Sequence, residues 1–390
     1  MREIAVRLAS MRRVPLICRY SFRTGRDAEE ASIGVSFDIQ GGSAAMASTD
    51  SPRILIIRLS ALGDAILTLP LLCALREKYP SAHIAWLTEP VAAQILAGHP
   101  CLDQLLTVRK GWLKRPGEIL KLRRQLQDAK FDIVFDVQGL TKSAAAGWLS
   151  GAPRRITFAR GQARELAPNL ATELITPRDP HVVRRYLELG QAVDIYSPSI
   201  EFRLPIDEQA RADVAAIRRE IDRSRNFAVL NPGAGWFSKT WLPQRFAEVA
   251  RHLQDKYQLS SLVTWGNEQE ADWAEEIAQM SGGAAALAPK LTLPQLKELY
   301  RSANLFVGCD TGPLHLAAAV ETPCVALFGV TPIALCQPLG PHQKVVQAYY
   351  QPLTSRQRAR ASNDAMRAIS TSMVVDAIDS LFEPQSREAA

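Results

Sequence analysis

The chain has 390 residues, room for two or three domains, and is 47% hydrophobic and 22% charged. That composition excludes a mostly disordered chain, a collagen-like chain and a polytopic membrane protein. The net charge is +6, and residues 1–26, with seven arginines against Glu3, carry all of it; the remainder is neutral. The basic balance therefore belongs to a tail and does not argue for a nucleic-acid-binding body.

The Arg-rich start has no apolar run longer than Val14-Pro15-Leu16-Ile17-Cys18, too short for a secretory core. Residues 27–50 are rich in Gly, Ser and Ala and lack periodicity. Residues 1–50 are therefore expected to be a largely disordered extension, with Met46 as the expected true start; the alternatives are a membrane-surface tail or a targeting segment. Residues 54–75 are apolar enough to suggest a membrane span, but Arg58 and Asp64 interrupt them and Gly63-Asp64 is a turn signal. The better reading is a strand over 53–59, a turn, and an apolar helix to about Tyr79.

Strands are then predicted at 83–87, 104–108 and 131–136, with helices at 91–98, 117–129 and 141–149; a basic stretch, Arg109 to Arg115, lies between. Residues 160–224 are less regular, with helices at 180–194 and 207–222. Alternation restarts with strand 227–233, helix 243–257, strand 259–265, helices 268–280 and 293–302, strand 304–308, helix 312–320 and strand 323–328. Strands that are nearly continuous in apolar residues belong to parallel sheets covered on both faces. The pattern predicts an α/β chain: residues 51–205 as a first Rossmann-like domain, 206–362 as a second, and a helix in 363–390 packing back on the first. The six cysteines show no C-x-x-C spacing, so no zinc or redox motif is visible, and a reducing compartment is expected.

Neither opening strand is followed by G-x-G-x-x-G, and no P-loop motif occurs. Chemistry is therefore sought at strand ends. Gly63 allows close approach of substrate, and Asp64, in a first helical turn, is either a general base or a helix cap. In Gly308-Cys309-Asp310-Thr311-Gly312-Pro313-Leu314-His315, the amides at Thr311 and Gly312 form an anion site, unless the segment only caps a helix. Lys239, in a Gly-rich loop after residue 231, supplies a point charge for phosphate or is a solvated lysine. An acid in Trp265–Glu270 binds a ribose diol or sits on a helix surface. Arg109, Lys110, Lys114 and Arg115 grip an acidic acceptor or form a solvated charge run.

The strings RILIIRLSALGDAILTLPLL, FDIVFDVQGLTKSA, NPGAGWFSKTWLPQRF, WGNEQE and GCDTGPLHLAAAVETPCVALFG, in that order over residues 53–340, resemble the ADP-heptose:lipopolysaccharide heptosyltransferases, glycosyltransferase family nine. The D-x-Q-G-L-x-K-S-A block, with Ala163-Arg164-Glu165 and His181–Arg185, is most similar to the heptosyltransferase I branch, although Ala234, Gly235 and Trp236 depart from its donor loop. The resemblance implies a GT-B fold, two Rossmann-like domains around a cleft. It implies inverting transfer from ADP-L-glycero-β-D-manno-heptose to Kdo of the inner core, without cofactor or metal, in the cytoplasm at the inner face of the membrane.

By motif match, Asp64 is the base; Lys239, Asp310, Thr311, Gly312, His315 and Glu270 (with Glu268 as rival) meet the donor. Gly63, Arg109, Lys110, Lys114 and Arg164 meet the anionic Kdo–lipid A. The alternatives are a family member with another sugar nucleotide or glycan acceptor, and a non-catalytic sugar-binding protein. Because residues 1–45 hold no periodic apolar face, a chain beginning at Met46 is expected to keep its melting temperature and its turnover; a large loss of either contradicts the reading.

Overall fold

The structure, a computed structural model, describes residues 51–221 and 226–382. The expected disordered extension, residues 1–50, lies outside the described residues, as does the end of the predicted last segment.

Ile54-Leu55-Ile56-Ile57 is apolar on both faces and rich in branched side chains, so it forms a strand buried on both sides. This is β1 (Arg53–Ile57), and the first sheet adds β2 (His83–Thr88), β3 (Gln104–Thr107), β4 (Ile133–Asp136), β5 (Arg154–Phe158) and β6 (Glu173–Ile175). All pairs are parallel, in the order β3-β2-β1-β4-β5-β6, with Ile54 opposite Ile84 and Ile133. The connecting helices are α1 (Leu62–Lys78), α2 (Pro90–Leu96), α3 (Pro116–Asp128) and α4 (Thr141–Leu149), and α5 (Val182–Glu188) follows β6.

The second sheet repeats the design. It holds β7 (Phe227–Asn231), β8 (Ser260–Val263), β9 (Ala285–Leu287), β10 (Leu305–Cys309), β11 (Cys324–Leu327) and β12 (Gln343–Val346), all parallel, in the order β12-β11-β10-β7-β8-β9. Its helices are α6 (Glu208–Ile221), α7 (Pro243–Tyr257), α8 (Glu268–Met280), α9 (Leu293–Ser302), α10 (Gly312–Ala319) and α11 (Thr371–Phe382). Within each lobe the order is that of the dinucleotide-binding sheet, which reverses direction between its first and fourth strands. The reversals fall at β1/β4 and β7/β10. This is the predicted GT-B architecture.

Helix α1 is buried without interruption from Ala65 to Leu75 and has no polar face. A helix apolar all round must be covered all round. Here β1 lies on one side, while α5 and α10, from opposite lobes, cover the others. The run that imitates a membrane span is thus the centre of the core, and among the described residues no helix is long and apolar enough to cross a membrane.

Two features differ from the sequence reading. Strands β5, β6, β9 and β12 were not anticipated; β6 and β9 are three residues long, and all four are incompletely buried. The last helix does not return to the first lobe. A single turn at Asp364–Arg367 precedes α11, whose Val374 and Ile378 are fully buried among Leu253 of α7 and Val346 of β12. The edge of the second sheet offers an apolar face there. Trp241 Nε1 donates to the Ile369 carbonyl at 3.0 Å, and Asp379 meets His252 at 2.8 Å and Lys256 at 2.9 Å, which fixes the docking. Ile378→Ala is expected to lower unfolding free energy by about 2–4 kcal/mol in denaturant titration, the range for a buried large-to-small change; a loss under about 0.5 kcal/mol, typical of a surface site, contradicts this packing.

Candidate active site

In an open parallel sheet, ligands bind beyond the carboxyl ends of the strands where the order reverses. Both reversals open into one cavity of about 700 Å³, lined by Arg58, Gly63, Asp64, Arg164 and Arg185 from the first lobe and by Lys239, Asp310, Gly312, His315 and Arg358 from the second.

On the first lobe, Asp64 is the third residue of α1, and its Oδ2 accepts from the Ala61 amide at 3.3 Å and from Arg58 at 2.5 Å. The Tyr186 hydroxyl, on α5, donates to Oδ1 at 3.4 Å. Arg58 is itself buried, donates to the Val137 carbonyl at 3.1 Å and lies 5.4 Å from the Tyr186 ring centre. Burial opposes its charge, but Tyr186 and Asp64 beside it more than compensate, and its pKa rises. Burial pushes the Tyr186 phenol up despite Arg58, so it remains a donor. At the end of β4, burial pushes Asp136 up to about 6 while its Oδ1 accepts from the amides of Gln138 and Gly139 and shapes that turn.

On the second lobe, Lys239 ends a short turn after β7, and Asp310 follows β10. Lys239 Nζ lies 2.6 Å from Asp310 Oδ2, and His315 Nε2 lies 3.6 Å from Oδ1. Burial alone would raise the Asp310 pKa, but His315 and Lys239 hold its carboxyl well below the usual carboxylate range. The Thr311 hydroxyl turns back to the Cys309 carbonyl at 3.2 Å, so no side chain caps α10, and its positive end opens into the cavity at Gly312.

Gly63 and Gly312 bring the starts of α1 and α10 together. A Cβ at Gly63 would lie 3.2 Å from the His315 ring and 3.3 Å from Gly312 Cα. The close approach that Gly63 permits in this structure is therefore that of the opposite lobe. Glu270 accepts from the Gly266 amide at 2.8 Å, and its carboxylate packs so closely on Gly233 that a Cβ there would stand 2.6 Å away. Glu268, the rival, is exposed. Arg164 lines the cavity, but Arg109, Lys110 and Lys114 do not; they stand exposed after β3, the edge strand two places from β1.

The sequence reading missed Arg58 as a partner of Asp64, along with Tyr186, Arg185 and Cys336. The only signal for Arg58 was a charge inside an apolar strand run. Donor atoms of Asp310, His315 and Cys336 lie within 4.8 Å of one another, a grouping suited to a divalent metal. Lys239 already supplies positive charge to the same carboxylate.

The model of glycosyltransferase family 9 (heptosyltransferase) matches residues 119–365. The chain belongs to this family. Among curated relatives, lipopolysaccharide heptosyltransferase 1 of Pseudomonas aeruginosa is 31% identical over 295 residues, covering 72% of this chain and 79% of the relative. The Escherichia coli K12 enzyme of the same name is 26% identical over 76% of this chain and 93% of its own. E. coli heptosyltransferase WaaC, solved with ADP-2-deoxy-2-fluoro heptose, has a TM-score of 0.68 at 24% identity, covering 84% of this chain and 99% of its own. A family 9 glycosyltransferase from Veillonella parvula has a TM-score of 0.75 at 22% identity, covering 85% and 97%. These likenesses carry the GT-B fold, and family membership makes the chain a glycosyltransferase of the heptosyltransferase kind. The matched span includes Arg164, Lys239, Glu270 and Asp310, while Gly63 and Asp64 precede it.

The Asp310 pair sets a pH signature. Its folded pKa lies below the unfolded value, so its contribution to stability is present above the unfolded carboxylate pKa of roughly 4 and is lost as pH falls below it. Asp310→Asn is therefore expected to lose less stability between pH 5 and pH 3 than the parent, measured by denaturant unfolding; identical slopes contradict the pairing.

Proposed function

We propose that this enzyme transfers heptose from ADP-heptose, with inversion, to Kdo of the lipopolysaccharide inner core. One observation carries the reading. At each sheet reversal a carboxylate is paired with a base, and Arg58, Arg164, Arg185 and Lys239 face Asp64 and Asp310 in one cavity. Such a surplus suits a diphosphate donor together with an anionic acceptor. The curated relatives named heptosyltransferase 1, and neighbouring structures solved with ADP and a fluorinated ADP-heptose, support it.

The chemistry follows from which oxygens are free. Asp64 Oδ2 is held by Arg58 and the Ala61 amide, whereas among the described residues Oδ1 has only the long contact to Tyr186. Oδ1 takes the proton of the acceptor hydroxyl as that oxygen bonds to the anomeric carbon. The bond from this carbon to the donor phosphate breaks on the opposite face, and its electron pair leaves with ADP. Lys239 and the amide at Gly312 meet the charge that grows on the diphosphate. Asp310, with His315, faces the sugar; Glu270, fixed beside Gly233, meets the ribose. Arg164 and Arg185 line the first-lobe side, where the acid of Kdo binds. The site works without a cofactor or metal in this reading.

Heptosyltransferase 3 of E. coli is also 26% identical, over 82% of this chain, which favours as second reading a later heptose acceptor in the core. Assay with Kdo-terminated against heptosylated acceptors separates the two. Asp64→Asn is expected to lower kcat by about 10²–10⁴-fold while leaving donor affinity, read by titration calorimetry, unchanged. It also removes the carboxylate from buried Arg58, so a fall in melting temperature of a few degrees is expected, which is about 1–3 kcal/mol for a charged hydrogen bond. A variant that turns over at the parent rate removes Asp64 from the mechanism.

A further inference from the structure

The basic cluster that the cavity does not use is part of a larger surface. Between Arg109 and Lys130 the chain holds eight basic residues and only two acids, Glu118 and Asp128, whereas residues 27–390 as a whole are neutral. All eight bases are exposed, and none has an ion pair or side-chain hydrogen bond among the described residues. The segment is rigidly placed. Trp112 is buried under the first sheet and fixes the turn that carries Arg109, Lys110 and Lys114, while Leu122 and Leu126 seat α3 in the same core. The outer face of α3 presents Lys121, Arg123 and Arg124 around Leu120, whose side chain is 68% exposed.

We propose that this face, from the end of β3 along α3, docks the enzyme on an anionic lipid bilayer, with Leu120 entering the headgroup region. Clusters of four to eight bases on a rigid surface suit such membranes, each base adding about five-fold to partitioning. Two other partners fit less well. Single-stranded nucleic acid asks for exposed aromatic platforms between the bases, and Trp112 is buried. A protein interface asks for an apolar centre, and among the described residues of the 109–130 segment Leu120 is the one exposed large apolar side chain. The patch begins at the same end of the first sheet as Asp64, so docking sets the cavity mouth toward lipid headgroups. That last point rests on the proposed lipid-linked acceptor; the docking itself does not.

The test is flotation of the full chain with phosphatidylcholine vesicles, with and without phosphatidylglycerol. Binding is expected only with the anionic lipid and is expected to weaken steeply as salt shortens the screening length. The variant Lys121→Gln/Arg123→Gln/Arg124→Gln, in exposed helix positions, is expected to keep its fold and its transfer to a soluble acceptor while losing about a hundred-fold in vesicle partitioning. Leu120→Ala is expected to weaken partitioning further. Equal binding to neutral vesicles, parent-like binding of the triple variant, or preferential capture of RNA overturns the proposal. If the parent binds vesicles as expected but transfers to neither acceptor, the functional reading falls and the docking stands.

Discussion

The site depends on an unfavourable convergence. The starts of α1 and α10 meet where Gly63 faces Gly312, so two positive helix ends point into one space. Arg58 and Lys239 add full charges beside them. Such a place is stable without ligand only if anions are built in, and Asp64 and Asp310 are those anions. The glycines are required because any side chain at Gly63 would press on the Gly312 backbone and separate the two helix starts.

The two ion pairs are built in opposite senses. In the first lobe the base is hidden and the acid reaches out: the Arg58 side chain is 8% exposed and that of Asp64 39%. In the second lobe the acid is hidden and the base reaches further: Asp310 is 5% exposed and Lys239 18%. The buried partner in each case orients the group that faces the cavity. The first lobe therefore presents a carboxylate, which can accept a proton, and the second presents an ammonium, which can meet a phosphate. A transferase needs that division, because the attacking hydroxyl loses a proton on one face of the sugar carbon while the leaving group gains charge on the other.

How much of this was legible follows from the range of each interaction. Buried central strands such as Ile54–Ile57 and Phe227–Asn231 declare themselves as continuous apolar runs, so the two α/β lobes and the GT-B fold were readable. Edge strand β3 was readable, but β5, β6, β9 and β12 did not declare themselves. Glu173-Leu174-Ile175 is three residues long with an exposed centre, and β5 opens on Arg154-Arg155, whose side chains pair with neighbours only in the folded sheet. At the site, residues next to strand ends were visible by position: Asp64, Lys239, Asp310. The partners of Asp64 were not. Tyr186 is 122 positions from Asp64 and lies on a helix whose own spacing reads only as amphipathic. The Arg109 cluster was misplaced for the converse reason. Sequence shows that it follows a strand, but not that the strand lies at the sheet edge.

What places Asp64 opposite Lys239 is packing rather than polar contact. The apolar run Ala65–Leu75 has no face that tolerates water, so α1 is stable only when both lobes cover it. Helix α5 does so from one side and brings Tyr186 to the carboxylate. Its capping residue His181 reaches the Gln337 carbonyl of the other lobe at 2.9 Å. Helix α10 does so from another side and brings Gly312 and His315 to Gly63. Each charged hydrogen bond at the site is worth about 1–3 kcal/mol, whereas the run buries five leucines, Leu67, Leu69, Leu71, Leu72 and Leu75, each contributing about 1.5–3 kcal/mol. The geometry of the acid and base is thus set by the helix with the longest uninterrupted buried run among the described residues, the one whose sequence first suggested a membrane span.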